Sequence, residues 1–137
     1  MECRRFKITK IISTKKTVLL SVNAALDKKA RGILVLNVKK ISSLSDYFII
    51  CSGSSDRQVQ AIASFIEETL KKAGKRPIGI EGEQIGKWVL MDYGDIVIHI
   101  FYEPVRDFYD IERLWADVPR LEVEDDATGL TTLGKGM

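Results

Sequence analysis

The sequence predicts a single α/β domain of the α+β kind, with one mixed β-sheet of about five strands and helices packed on it. Two observations predict this class. Aliphatic runs of strand length alternate with segments whose apolar residues recur at helical spacing, in the order α-β-β-α-β-β-β-α. The chain has 137 residues, which is enough for one hydrophobic core and too few for two.

The first helix and the first two strands follow from residue spacing. Thr17 is predicted to cap a helix with apolar residues at helical spacing, and Gly32 is predicted to end it. The continuous aliphatic run 33–38 is typical of a strand that is covered on both faces. A second buried strand is predicted at 47–51, after a polar loop.

A second helix and a short third strand come next. Ser55 and Gln58 have the spacing of a capping box, so we expect a helix to begin there and to end at Gly74. The short run 78–81 is predicted to be a strand.

Two further strands and a last helix complete the domain. If Tyr93-Gly94 is a two-residue turn, Asp92 pairs with Asp95 and Trp88 pairs with His99. The last helix is predicted to begin at Asp107 and to end before Pro119. One face of this predicted hairpin mixes apolar, acidic and histidine side chains: Trp88, Leu90, Asp92, Asp95, Val97, His99 and Phe101.

This mixed face has two interpretations of equal weight. A solvated face rarely has Trp, Leu, Val and Phe together, and a buried face rarely has two Asp and a His. Partner-binding surfaces favour such a mixture, with Trp as a common anchor. The other interpretation is that the last helix covers the face, in which case these residues belong to the core.

Charge is unevenly distributed although the formal net charge is only +2. Residues 1–16 contain six basic side chains and one acid, whereas residues 110–126 contain seven acids and two arginines. We predict a basic N-terminal extension at 1–16, the domain at 17–119 and a disordered acidic tail at 120–137. The near-neutral total gives no general case for nucleic acid or membrane binding.

Candidate catalytic and metal-binding residues are few and have simpler explanations. The run Ser52-Gly53-Ser54-Ser55 lacks the lysine of a phosphate-binding loop, so a capped turn is favoured. Acids occur beside turns, where Asp is common for local reasons: Glu81, Glu83, Asp92, Asp95 and Glu103. His99 is the only histidine, and no nucleophile is spaced for it. We therefore expect no catalytic residue, no metal and no cofactor.

Cysteine content and hydropathy predict a soluble, cytoplasmic protein. Cys3 and Cys51 are the only cysteines, which argues against a disulfide framework and fits a reducing compartment. No apolar run has membrane-spanning length, and no signal-peptide core follows the basic start.

The chain resembles the ribosomal silencing factor family, also called the Iojap-like family. The resemblance covers about residues 17–117 in consistent order. It rests on the segments 30–38 and 45–55, Glu81-Gly82, the segment 88–95, His99, Tyr109, Leu114 and Trp115.

The resemblance implies a nucleotidyltransferase-like fold without enzymatic activity. It also implies that the protein binds large-subunit ribosomal protein fourteen and sterically blocks joining of the subunits, so that translation falls when nutrients are limiting. The seven residues of the mixed face are then the expected contacts. Two alternatives stay open: a divergent Mg-dependent nucleotidyltransferase that uses Ser54 and acids such as Glu81, and a homodimer of the free protein through the same face.

Overall fold

A computed structural model describes residues 12–137, so the first eleven residues of the predicted basic extension lie outside the described residues. Two long helices, a shorter helix, a 3-10 helix and six strands make up this part of the chain. In chain order they are α1 (Thr14–Asp27), β1 (Arg31–Asn37), β2 (Tyr47–Gly53), α2 (Asp56–Lys72), β3 (Gly79–Glu81), β4 (Trp88–Asp92), β5 (Ile96–Tyr102), α3 (Glu103–Tyr109), the 3-10 helix (Ile111–Trp115) and β6 (Arg120–Glu122).

The strands form one mixed sheet in the order β3-β4-β5-β2-β1-β6. The central pair, β2 and β5, is parallel, and the other neighbouring strands are antiparallel. The predicted fold class and element order are thereby confirmed, with a sixth strand in addition. No helix in residues 12–137 is long and apolar enough to cross a membrane.

The main core lies between one face of the sheet and the helices α1 and α2. Alternate strand residues such as Ile49, Met91 and Ile98 are buried there against the apolar stripe of α2, which includes Ile62 and Ile66. This arrangement explains why β2 and β5 are almost wholly apolar, since a parallel pair in the middle of a sheet is covered on both faces.

The helix ends agree with the sequence at α2 and differ at α1. The Ser55 hydroxyl accepts a hydrogen bond from the Gln58 backbone N–H (3.1 Å), so the predicted cap of α2 is confirmed. The prediction that Thr17 caps α1 is wrong, because the Ser13 side chain accepts from the Lys16 N–H. Nor does Gly32 end this helix: α1 ends at Asp27, and Gly32 lies in β1.

The predicted disordered tail is ordered, which corrects the assignment for 120–137. Residues Arg120–Glu122 form β6, which pairs with the outer edge of β1. Beyond it, Val123, Leu133 and Met137 are buried in the core on the helix side of the sheet. Burial of three separated apolar side chains explains why a polar, acidic segment can nevertheless be fixed on the domain.

The last helical segment also differs from its prediction. It begins at Glu103 rather than Asp107, with Pro104 in its first turn, where a missing N–H has no helical partner. Asp110 has a left-handed conformation (φ 47°) that ends α3 and starts the 3-10 helix. The result is a bent segment rather than one straight helix.

Candidate partner-binding site

The β4–β5 hairpin turns one residue later than the sequence suggested. Trp88 pairs with Phe101, Leu90 with His99 and Asp92 with Val97, so the predicted pairing of Asp92 with Asp95 is wrong. The turn is formed by Gly94 and Asp95, and the Tyr93 N–H donates to the Ile96 carbonyl (2.9 Å). Gly94 has a φ of +86°, and glycine is the residue that accepts this conformation without strain.

Moving the turn by one residue shifts the pairing between the two strands by two residues. Each side chain therefore stays on the face of the sheet that was predicted for it. The hairpin face, as we call it, consists of six of the seven predicted residues: Trp88, Leu90, Asp92, Val97, His99 and Phe101. It lies opposite the helices α1 and α2, because the intervening residues Val89 and Met91 are buried in the main core.

Asp95 does not lie with the other six. It sits in the turn, and its carboxylate accepts hydrogen bonds from the Thr14 hydroxyl (2.7 Å) and the Lys75 ammonium group (3.2 Å). Thr14 is the first residue of α1 and Lys75 follows α2, so Asp95 belongs to the helix side of the molecule. The sequence placed it on the hairpin face only because the turn was assigned one residue too early.

The last helical segment borders the hairpin face and covers part of it. Phe101 is fully buried and His99 is 9% exposed, whereas Trp88, Leu90, Asp92 and Val97 are half-buried. A second, smaller apolar cluster forms between this side of the sheet and the last helical segment: Leu34, Leu36, Val38, Ile50 and Phe101, with Trp88, Val105, Ile111 and Trp115 packed against them. On this side of the sheet, β1 and β2 are therefore covered, and so are Phe101 and His99 of the hairpin face. We call the remaining residues of that face, Trp88, Leu90, Asp92 and Val97, its accessible half.

Trp88 is held in place by aromatic neighbours and one hydrogen bond. Its indole Nε1–H donates to His99 Nδ1 (3.1 Å), and its ring lies 4.8 Å from Phe101 and 5.1 Å from Tyr109 between centroids. A tryptophan fixed in this way is pre-organised, so little side-chain entropy is lost when a partner covers it.

His99 is kept neutral by its surroundings. Burial lowers the pKa of His99 from 6.5 to about 4, since the imidazolium ion is poorly solvated there. Because Nδ1 accepts the Trp88 hydrogen bond, the proton of the neutral ring is on Nε2. Within residues 12–137, Nε2 makes no hydrogen bond, and it is not among the fully buried side-chain polar atoms that lack a partner.

Three exposed apolar residues that the sequence interpretation missed belong to the last helical segment, which borders the hairpin face. Phe108 (80% exposed), Tyr109 (53%) and Leu114 (74%) lie on the last helical segment. Tyr109 contacts Trp88 directly.

Arg106 fastens this segment to the sheet. Its Nη1 group donates to the Gly32 carbonyl and to the Ser52 hydroxyl (2.8 Å each). Its Nη2 group forms an ion pair with Glu112 (2.9 Å), in the 3-10 helix. One largely buried guanidinium therefore joins α3 and the 3-10 helix to the start of β1 and the end of β2. These contacts fix the segment in which Tyr109 lies beside Trp88.

The other candidate groups are structural, buried or exposed on the surface. The Ser54 hydroxyl and N–H both donate to the Gln58 side-chain oxygen, which completes the turn before α2. Burial raises the pKa of the Cys51 thiol to about 12, so this thiol is not activated as a nucleophile. No group of three or more His, Cys, Asp or Glu side chains in residues 12–137 is arranged to hold a metal ion. Glu81 and Glu83 are exposed at the end of β3.

The fold and the site together define a small α+β protein with an accessible aromatic sheet face beside an exposed apolar helical segment. This kind of surface is typical of proteins that bind a macromolecular partner. The chain belongs to the ribosomal silencing factor family: residues 12–133 match the family model described as "Ribosomal silencing factor during starvation".

Individual relatives agree with this assignment. The "Ribosomal silencing factor RsfS" of Halalkalibacterium halodurans is 42% identical over 113 residues, which is 82% of this chain and 97% of the relative. The mouse protein named "Mitochondrial assembly of ribosomal large subunit protein 1" is 32% identical over 76% of this chain and 47% of its own length. A crystal structure of a Chromobacterium violaceum protein superimposes with a TM-score of 0.75 at 34% identity, covering 91% of this chain and 98% of that one.

Proposed function

We propose that this protein is a non-enzymatic repressor of translation that binds the large ribosomal subunit through its ribosomal protein fourteen. A factor bound there prevents the small subunit from joining. Family membership and the name of the mitochondrial relative support a large-subunit partner. The cytoplasm is then its place of action. The observation on which the proposal depends is the accessible half of the hairpin face, with Trp88 fixed by His99.

The composition of this surface suits a protein partner. Trp88, Leu90 and Val97 are half-buried, and Tyr109 of the last helical segment continues the apolar area beside Trp88. A fixed aromatic residue surrounded by apolar neighbours that exclude water is the usual arrangement of a binding hot spot.

The polar groups on the face add direction to the contact. His99 presents an Nε2–H donor beside Trp88, so the partner should place an oxygen acceptor opposite it. Asp92 lies at the turn end of the face, with one carboxylate oxygen bonded to the Gly94 N–H (2.8 Å). Its other oxygen is available to a basic group of the partner. Asp95, whose carboxylate is already bonded to Lys75 and Thr14, is not part of this proposed contact.

Substitution of Trp88 tests the proposal. We expect Trp88→Ala to weaken binding to purified large subunits by on the order of 2 kcal/mol, or roughly 30-fold in Kd. The matched control is Phe65→Ala, which removes a partly buried aromatic ring from the main-core side of the sheet. Co-sedimentation with separated subunits measures both variants, and circular dichroism checks that both are folded.

Two outcomes would contradict the proposal. One is unchanged retention of a folded Trp88→Ala variant on large subunits. The other is a loss of binding that is equal for Trp88→Ala and Phe65→Ala. A homodimer of the free protein is distinguished by sedimentation: if the same face forms the dimer, added ribosomal protein fourteen dissociates it, and Trp88→Ala is monomeric.

A further inference from the structure

Charge is separated between the two ends of the sheet, although the chain is nearly neutral. We call the end where β2 and β5 begin the basic end, and the end where β1 begins the acidic end. At the acidic end the Asp125 carboxylate accepts from the Gly32 N–H (2.8 Å) and lies 3.6 Å from Arg31. Glu122, Glu124 and Asp126 belong to the same stretch of chain. The seven residues of β1 separate the two ends by roughly 20 Å.

Asp95 brings two basic segments together at the opposite end. Its carboxylate bonds to Thr14 in the first turn of α1 and to Lys75 just after α2. The start of one long helix and the end of the other therefore lie side by side, although they are far apart in sequence. Six basic residues belong to these two segments of the chain: Lys15, Lys16, Lys71, Lys72, Lys75 and Arg76.

Stability of the fold explains only part of this concentration of charge. Lys71 and Lys72 lie in the last turn of α2, where positive charge is favourable at the negative end of the helix dipole. The first turn of α1 contains Lys15 and Lys16 and no acid, which is unfavourable at the positive end of a helix dipole. Within residues 12–137, only Lys75 and Lys72 of the six form ion pairs, with Asp95 and Glu68 respectively. The other four are exposed. Like charges that are held together without compensation are typical of a surface that binds an anion.

The sequence that precedes α1 is also basic. Arg4, Arg5, Lys7 and Lys10 lie within ten residues of Ser13, the capping residue of α1.

We propose that the basic end binds the phosphate backbone of RNA, without reading its sequence. Lysine-rich surfaces contact phosphates as point charges and release counterions, whereas sequence reading needs contacts to base edges. The acidic end is repelled by the same RNA, so the charge separation orients the protein on an RNA-rich surface. The source of that RNA, the large subunit, follows from the proposed function, and the hairpin face remains the protein-binding surface.

The test compares two variants with the same net charge. The basic-end variant neutralises three exposed residues of the basic end: Lys15→Gln, Lys71→Gln and Arg76→Gln. The control variant neutralises three basic residues elsewhere: Arg57→Gln, Lys87→Gln and Arg113→Gln. The probe is a fluorescein-labelled 20-base-pair RNA duplex, titrated by anisotropy at several salt concentrations. For the basic-end variant we expect at least a tenfold loss of affinity at low salt and a shallower dependence of log K on log salt, by roughly one unit per lost contact. The control variant should bind within about twofold of the unsubstituted protein, because affinity depends on the local phosphate contacts.

Several results would overturn the proposal. Equal losses in the two variants would show that net charge alone governs binding. Equally tight binding of the unsubstituted protein to phosphatidylserine vesicles would show a membrane-directed or unselective anion surface. The proposed function is tested separately: Trp88→Ala should leave duplex affinity unchanged, and the basic-end variant should still bind isolated ribosomal protein fourteen. A protein that binds the duplex but not that ribosomal protein would refute the proposed function and leave this proposal standing.

Discussion

Acidification from pH 7.5 to pH 5 should destabilise this protein through its single histidine. The pKa of His99 is lowered from 6.5 to about 4 by burial, so between these values the unfolded chain binds a proton that the folded chain does not. The free energy of unfolding therefore rises with pH across this window. The contribution of neutral His99 is fully present above pH 6.5 and is lost as the pH falls towards 4. The two pKa values give a loss of about 2 kcal/mol at pH 5.

Urea unfolding at a series of pH values measures this effect, followed by circular dichroism. The control is His99→Gln, because the glutamine oxygen can accept the Trp88 hydrogen bond but does not titrate. Carboxylates titrate in both proteins, so the difference between the two curves isolates the histidine. Proton NMR of the one histidine ring reports the pKa directly, since no other histidine contributes.

The reasoning is refuted if the His99→Gln protein loses as much stability between pH 7.5 and pH 5 as the unsubstituted protein. It is equally refuted if the NMR titration gives a pKa near 6.5. Either result would mean that the imidazole is solvated in the native state, and that the Trp88 Nε1–H has no fixed acceptor.

Two further predictions concern segments that position the site. Arg106→Ala should lower the free energy of unfolding by about 3 kcal/mol, because it leaves Glu112 and the Gly32 carbonyl without their partner. Urea unfolding tests this, with the substitution of exposed Arg113 by alanine as the control. Equally small losses of stability in the two variants would contradict the prediction. Leu133→Ala should cost about 2 kcal/mol or more through the cavity that it leaves; an unchanged unfolding midpoint would mean that the tail is not packed on the core.

The strands and the second long helix were predictable because their signals are local. The runs 33–38 and 47–51 are mostly apolar and mostly buried, and Ser55 with Gln58 begins α2 as expected. The hairpin face was also predictable, since side chains alternate with a period of two along each strand. A change of register by two residues leaves every strand residue on its face, so the error in the turn displaced Asp95 alone from the predicted set.

What the sequence did not reveal depends on contacts between distant segments. Strand β6 exists because Arg120–Glu122 pairs with β1, and nothing in this short polar stretch indicates that partner. The buried tail residues Val123, Leu133 and Met137 have no helical or strand spacing. Likewise, the bend at Asp110 and the Arg106 contacts, which determine how much of the hairpin face stays accessible, follow from packing and not from local propensity.

Strand order has a consequence for how the chain acquires its fold. Most neighbouring strands are close in sequence. The central parallel pair, β2 and β5, however, joins Tyr47 to Ile96, and the edge pair of β1 and β6 joins Leu34 to Glu122. Pairings between such distant residues form slowly, because a long loop must close before any contact compensates for its entropy. During synthesis the outer edge of β1 therefore stays unpaired until residue 122 has left the exit tunnel. A nascent chain interrupted before that point exposes an open strand edge, which is the surface on which chains pair with one another and aggregate.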